Sequence, residues 1–267
     1  MPCRPEMAVD ITKVFEAKGK KLPKCLAAPI NRFLHLDFLN KFIVRGYEGV
    51  EFCTKALEYL DVNIETEGLE NVPDDGTLYT FVSNHPLGGI DGVALGSIIG
   101  NRFGNKLKYF LNDILMHIHG LAVMGIPVNK TGGQMKDLPR LIDEAFHSDN
   151  HIILFPAGAC SRMINGRIQD VEWSKAFISK SIETRRSVVP IHFIARNSKR
   201  FYRIASWQKK LKLKFNVAMA FLPDEMYRNR HSTFKVIFGK PIPYTVFDNT
   251  KRPSEWAQWV REQVYKL

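Results

Sequence analysis

Long apolar runs are missing from this chain. The nearest candidate, "ILMHIHGLAVMGIPV", is broken by His117, His119, Gly120 and Pro127, short of the roughly 18 to 20 residues that span a bilayer. The opening "MPCRPEMAVDITK" has no apolar core of the kind a signal peptide carries, so the expectation is a chain that stays in the cytosol and meets membrane peripherally at most. Cysteine is also scarce. Cys3, Cys25, Cys53 and Cys160 are far apart and form no C-x-x-C pair, which argues against a zinc site or a disulfide framework and for reduced thiols. His117 and His119 stand two apart, whereas zinc-binding helices place histidines four apart, so no metal is expected. Internal repeats, low-complexity linkers and motifs of RNA or DNA binding are absent.

Acid is in deficit. The 267 residues carry 38 Lys plus Arg against 27 Asp plus Glu, a net charge of +11 and a pI near 9.5. That excess favours an anionic partner: an acidic membrane surface, nucleic acid, or an acidic protein or ligand. Two segments concentrate it. Between Lys18 and Arg45 the only acid is Asp37, and the same stretch holds "INRFLHLDFLNKFIV". Its Phe33, Leu34, Leu36, Phe38, Leu39, Phe42 and Ile43 make a broad apolar face at helical spacing. Such a face lies in a membrane interface or packs on the body of the protein, and spacing alone leaves both open. "SWQKKLKLKF", with Trp207, Lys209, Lys210, Lys212 and Lys214, reads as a membrane-facing edge, a dock for an acidic carrier protein, or a solvated charge run.

An apolar content of 45% and a charged content of 24% are ordinary globular values. Helical patterns fill the first 60 or so residues, and strand and helix patterns alternate afterwards. The strands expected are "NIETEG", "TLYTFVS", "LKYFLN", "LAVMGIPVN", "HIILFP", "SVVPIHFIA" and "TFKVIFG", several of them unbroken apolar runs suited to a sheet covered on both faces. Helices are expected over "KDLPRLIDEAFHS", with Leu138, Leu141, Ile142, Ala145 and Phe146 on one stripe, and over "WSKAFISKSIE", with Trp173, Ala176, Phe177 and Ile182. The fold class is α/β: a mixed, largely parallel sheet flanked by helices, preceded by an N-terminal amphipathic helical segment, residues 1–60.

Between two of these elements stands "SNHPLGGIDG", Ser83 to Gly92. On a continuous helix His85 and Asp91 would be about 600° apart in rotation and could not share a face. Pro86, Gly88 and Gly89 mark a turn instead, so His85 leaves the C-terminal end of a strand, where open α/β sheets put their ligands. Asp91 either caps the following helix or folds back onto the imidazole. The glycines let a substrate approach the backbone and leave N–H groups free for an anion. A second constellation is "HIILFPAGACSR": a buried strand, Phe155-Pro156, a small-residue turn around Gly158, then Ser161 and Arg162. The turn can present N–H groups to an oxyanion, and Arg162 offers a fork for a carboxylate or phosphate.

Taken in order, these blocks resemble the glycerolipid acyltransferase superfamily of the lysophosphatidic acid type. "NHPLGGID" resembles its Asn-preceded H-x4-D motif, "GIPVNK" its second block through Lys130, "FPAGACSR" its F-P-E-G-T-R-S, and "VVPIHF" its V-P strand. There are two departures: the His-Asp interval is one residue longer, and the usual glutamate of the third block is Ala157. Both are similar to the hemolysin-like branch, which includes the O-acyltransferases that complete ornithine and other amino-acid lipids; "GRIQDVEW" and "RNS" match that branch as well. The resemblance implies an acyltransferase α/β domain over residues 61–267. It implies transfer of a fatty acyl group from an acyl carrier protein or coenzyme A thioester to the hydroxyl of a lyso-lipid. The acceptor it favours is a lyso amino-acid lipid such as lyso-ornithine or lyso-glycine lipid, with lysophosphatidic acid next.

In that chemistry His85 is the general base and Asp91 its support, with no cofactor beyond the thioester co-substrate. Asn84, Gly88, Gly89, Lys130, Phe155, Pro156, Gly158, Ser161 and Arg162 are the expected substrate-binding residues, Arg162 and Lys130 holding the acidic head. The oxyanion donors are N–H groups near Gly158 or in the Gly88-Gly89 turn. Asp170 caps a helix or joins the site, and Ser161 contacts substrate or caps a turn. The place expected is the cytoplasmic side of the cell membrane, without nucleic acid as a partner. Two other readings stand beside this one: a thioesterase or cysteine acyltransferase using Cys160, and a non-catalytic binder of anionic lipid or nucleic acid.

Overall fold

The computed structural model describes Thr12 and residues 23–112, 115–128, 137–211 and 217–267. The helices with described bounds that precede the sheet are α1 (Lys24–Phe33), α2 (Leu36–Ile43) and α3 (Gly49–Leu60). The main sheet then builds from β1 (Asn63–Glu67), β2 (Tyr79–Ser83), β3 (Leu107–Asn112), β4 (Gly125–Val128), β5 (His151–Leu154), β8 (Ser187–Ile194) and β9 (Thr233–Phe238). Its order is β1-β9-β8-β2-β5-β3-β4, and every neighbouring pair is parallel except β8 with β9. A separate antiparallel hairpin joins β6 (Arg162–Ile164) to β7 (Arg167–Gln169). All seven expected strands are present, in a mixed and largely parallel sheet.

Burial on both faces explains the unbroken apolar strands. Phe81 and Val189 point into one cluster with Phe52, Leu95 and Phe193, whereas their neighbours Val82 and Val188 point into another with Trp173, Phe177 and Val260. The first face is covered by α3 and α4 (Ile90–Arg102). The second is covered by α6 (Leu138–His147), α7 (Ala176–Glu183) and α11 (Pro253–Val264). Gly96 and Gly100 on α4 leave room for Cys53 and Val50 of α3, where any Cβ would overlap. α3 therefore belongs to the main core, and packing shows no break at Leu60. The corner between α1 and α2 is tied down differently: His35, in the left-handed region at φ 56°, meets buried Asp224, which also holds Arg200 and Arg228. Leu34, Leu36 and Phe42 are buried, so most of the amphipathic face expected near the N-terminus packs on the protein; Phe33 stays 55% exposed.

Two expected elements are shorter. The strand over 121–129 starts only at Gly125, because His119–Ala122 form a helical turn, α5. The helix expected from Trp173 starts at Ala176, and its buried face is Phe177, Ile178 and Ser181, with Ala176 and Ile182 exposed. The delay has a cause: Trp173 is held outside the helix by hydrogen bonds of its indole to Asp170 and of its backbone to Gln258. Among the described residues no helix is long and apolar enough to cross a membrane.

Candidate active site

The central strands set the site. β2 and β5 are parallel with Val82 opposite Leu154, so the segments that leave their C-terminal ends emerge side by side. His85 thus lies against Phe155, ring stacked on ring at 4.0 Å. Across the turn the His85 Nδ1 is 3.0 Å from Asp91 Oδ2. The histidine side chain is 18% exposed and the aspartate 0%. The same Oδ2 accepts the backbone N–H groups of Leu87 at 2.9 Å and Gly88 at 3.2 Å. Asp91 stands in the first turn of α4, whose N-cap is Gly89, so one carboxylate both shapes the turn and holds the imidazole. Of the two alternatives the structure has the partner: Asp91 follows the N-cap, and no side chain caps α4.

Electrostatics agree with that geometry. Burial acts to raise the Asp91 carboxyl, but the His85 charge and the hydrogen bonds from His85, Leu87 and Gly88 outweigh it and hold the group below the usual carboxylate range. Gly88 is at φ +79°, and a Cβ there would overlap the Cys160 sulfur and crowd Leu222, so the turn accepts only glycine without rearrangement. α8 (Lys199–Lys210), α9 (Val217–Ala220) and α10 (Leu222–Arg228) roof this end of the sheet, packing Phe201, Tyr202, Ala218 and Leu222 around Cys160. Burial there pushes the Cys160 thiol up to about 12, which keeps it protonated at neutral pH.

The remaining expected residues divide into scaffold and open groups. Asn84 spends its amide on the next strand, donating to the Phe193 carbonyl at 3.0 Å and accepting the Phe193 N–H at 2.7 Å. Ser161 is buried, its N–H on the His85 carbonyl at 2.8 Å and its hydroxyl on Asp170 at 2.6 Å. Pro156 is buried and its carbonyl takes the Ser174 N–H. Of the proposed oxyanion donors, the Gly88 N–H is committed to Asp91 and the Gly158 N–H to the Phe155 carbonyl. The Gly89 N–H, opening α4, has no acceptor among the described residues. Arg162 braces the carbonyls of Cys160 and Ser161 through one nitrogen and makes no ion pair among the described residues. Lys130 lies outside the described residues.

The residue left open between helix cap and site, Asp170, is central. Asp170 is fully buried and caps no helix; it accepts the His85 N–H at 3.3 Å, the Ser161 hydroxyl and the Trp173 indole N–H at 3.0 Å. The β6–β7 hairpin delivers it. That hairpin turns at Asn165 and Gly166, both at positive φ, and the Asn-Gly pair was a readable signal for it.

The family described as Acyltransferase matches residues 14–267, nearly the whole chain. The chain belongs to this acyltransferase family. Two relatives carry the name lyso-glycine lipid O-acyltransferase. The one from Phocaeicola vulgatus is 51% identical over 265 residues, covering 97% of this chain and 95% of its own. The one from Bacteroides thetaiotaomicron is 49% identical and covers 97% of both. Among solved structures, the 1-acyl-sn-glycerophosphate (LPA) acyltransferase PlsC of Thermotoga maritima has the same fold, at a TM-score of 0.51 and 16% identity over 81% of this chain and 77% of that one. The acyltransferase is thus an enzyme with an α/β fold, as its motifs implied.

Proposed function

We propose that this acyltransferase moves a fatty acyl group from an acyl carrier protein or coenzyme A thioester onto the free hydroxyl of a lyso-glycine lipid. The observation that carries the mechanism is the 3.0 Å contact between His85 Nδ1 and a buried Asp91. With Asp91 accepting the Nδ1 hydrogen, Nε2 keeps its lone pair for the acceptor hydroxyl. His85 takes the hydroxyl proton as the oxygen attacks the thioester carbonyl; the intermediate collapses, the C–S bond breaks, and the imidazolium returns the proton to the departing thiolate. The Gly89 N–H at the opening of α4 faces the developing oxyanion, and Arg162, with Lys130, receives the glycine carboxylate. No protein nucleophile is used, and the neutral, enclosed Cys160 supports that reading.

In the same proposal the reaction occurs at the cytoplasmic face of a membrane, reached peripherally. Residues 184–223 contain no acid, and along α8 the exposed Lys199, Arg203 and Lys210 share an arc with Trp207 and Leu211, 65% and 68% exposed. Bases interleaved with exposed apolar groups suit an anionic bilayer. Phe33 continues this side of the protein, since Arg200 lies over both Phe33 and Phe221.

The test offers purified protein a labelled acyl thioester with lyso-glycine lipid and lysophosphatidic acid together, His85→Ala beside it. Label in the glycine lipid alone, lost in His85→Ala, is the expected result. Label in lysophosphatidic acid alone, or an active His85→Ala protein, overturns the proposal.

A further inference from the structure

We propose that Asp170 is a positioning residue for His85: it fixes the backbone of the base from behind and lends a second negative charge to it, and α11 in turn fixes Asp170. This rests on the reading of His85 as general base.

The His85 peptide is gripped on both sides. Its N–H donates to Asp170 Oδ1, and its carbonyl accepts the N–H of Ser161, whose hydroxyl donates to the same Oδ1. Asp170 Oδ2 accepts the Trp173 indole. All three partners are donors, so the position calls for an acceptor-only group, which among side chains an ionised carboxylate provides. Asp170 is itself pinned from the C-terminal helix: its N–H donates to the Tyr265 hydroxyl at 2.8 Å, and its carbonyl accepts Arg261 at 2.6 Å. A chain of direct contacts therefore runs from α11 through Asp170 to the base and to the Phe155–Arg162 loop.

The three donors account for an acceptor-only carboxylate at 170, at the several kcal/mol that burying it costs. The charge has a use on His85, which becomes an imidazolium at each turnover and then lies between two anions, Asp91 at its ring and Asp170 at its backbone. Burial raises the Asp170 carboxyl, against the opposing effect of the bonds from Ser161, Trp173 and His85. The titratable and charged groups around it are His85 and Asp91 from the β2–α4 turn, Cys160 and Arg162 from the β5–β6 loop, His192 from β8 beside Tyr265, and Arg261 and Tyr265 from α11.

The experiment compares Asp170→Asn/Trp173→Phe with Trp173→Phe. An Asn at 170 alone would turn its NH2 on the Trp173 N–H, donor against donor; removing that donor leaves the amide oxygen for His85 and Ser161. The double variant is expected to have a kcat about 10- to 100-fold below that of Trp173→Phe, with KM within about threefold. A kcat within about threefold of Trp173→Phe overturns the proposal. Tyr265→Phe gives a second reading should the double variant misfold. It leaves the carboxylate in place and removes only the hydroxyl that holds its backbone, and kcat is expected to fall about threefold to tenfold at constant KM; an unchanged kcat overturns the link to α11. His85→Ala separates the failures: if it is active, the general-base reading fails, and if it is inactive beside a fully active double variant, only the part given to Asp170 fails.

Discussion

Replacing Asp91 with Asn separates what this carboxylate does for the fold from what it does for the reaction. The amide oxygen can still accept the N–H groups of Leu87 and Gly88, now as a neutral acceptor, which loses about 1 kcal/mol at each. Its NH2 then faces the Gly92 N–H that Asp91 Oδ1 accepts at 3.0 Å, a conflict of about 1 to 3 kcal/mol. Against these losses stands the desolvation of a fully buried charge, several kcal/mol, which Asn does not incur. The terms nearly cancel, so stability should change by no more than about 2 kcal/mol, or about 8 °C in Tm. The catalytic term has no such offset. An imidazolium 3.0 Å from a carboxylate gains about 5 kcal/mol at an effective dielectric constant of about 20. Losing that gain at the moment of proton transfer lowers kcat by about a thousandfold to ten-thousandfold. Steady-state transfer from a labelled acyl thioester, with a thermal melt on the same preparation, reads both quantities. An Asp91→Asn protein that melts normally and keeps more than about a tenth of its kcat refutes the reasoning.

Three further outcomes are expected. Lys199→Glu/Arg203→Glu weakens binding to vesicles containing phosphatidylglycerol by at least about tenfold, and Trp207→Ala removes the fluorescence change on binding; equal binding of the native and double-variant proteins to the phosphatidylglycerol vesicles sinks the α8 surface. Native Cys160 resists iodoacetamide at pH 7.5 and reacts after denaturation, and Cys160→Ala retains acyl transfer; a stable acyl adduct lost in that variant would reinstate a cysteine mechanism. Desolvation, and secondarily the charge of Arg186, lower His151 to about 4, while an unfolded chain takes its proton near 6.5. Its contribution is therefore intact above about pH 6.5 and is lost as pH falls toward 4, up to about 3 kcal/mol. Urea midpoints at pH 7.5 and 4.5 measure the loss, and His151→Asn, which offers an oxygen to the Tyr79 N–H, should flatten it.

What could be read in the chain and what could not follow from sequence distance. The central strands were legible because a strand buried on both faces writes a continuous apolar run, as "HIILFP" and "SVVPIHF" do, whereas β9 alternates buried and exposed residues. The β6–β7 hairpin, three residues to a strand and outside the main sheet, writes no such run. His85 and Asp91 stand six apart, so their meeting was open to argument from a single turn. Asn84 and Ser161 look like substrate-binding residues when read locally, as polar groups at strand ends beside a turn. Their partners, Phe193 and Asp170, come from other elements, and those partners make them parts of the frame. The same distance left Asp170 open between helix cap and site, since its hold on His85 spans 85 residues and its own support from Tyr265 spans 95. The two aspartates then differ in a way the sequence does not write. Asp91 reaches the ring of the base within its own turn, whereas Asp170 reaches its backbone only after the sheet, the hairpin and α11 are assembled, so the base is held from both sides only in the complete fold.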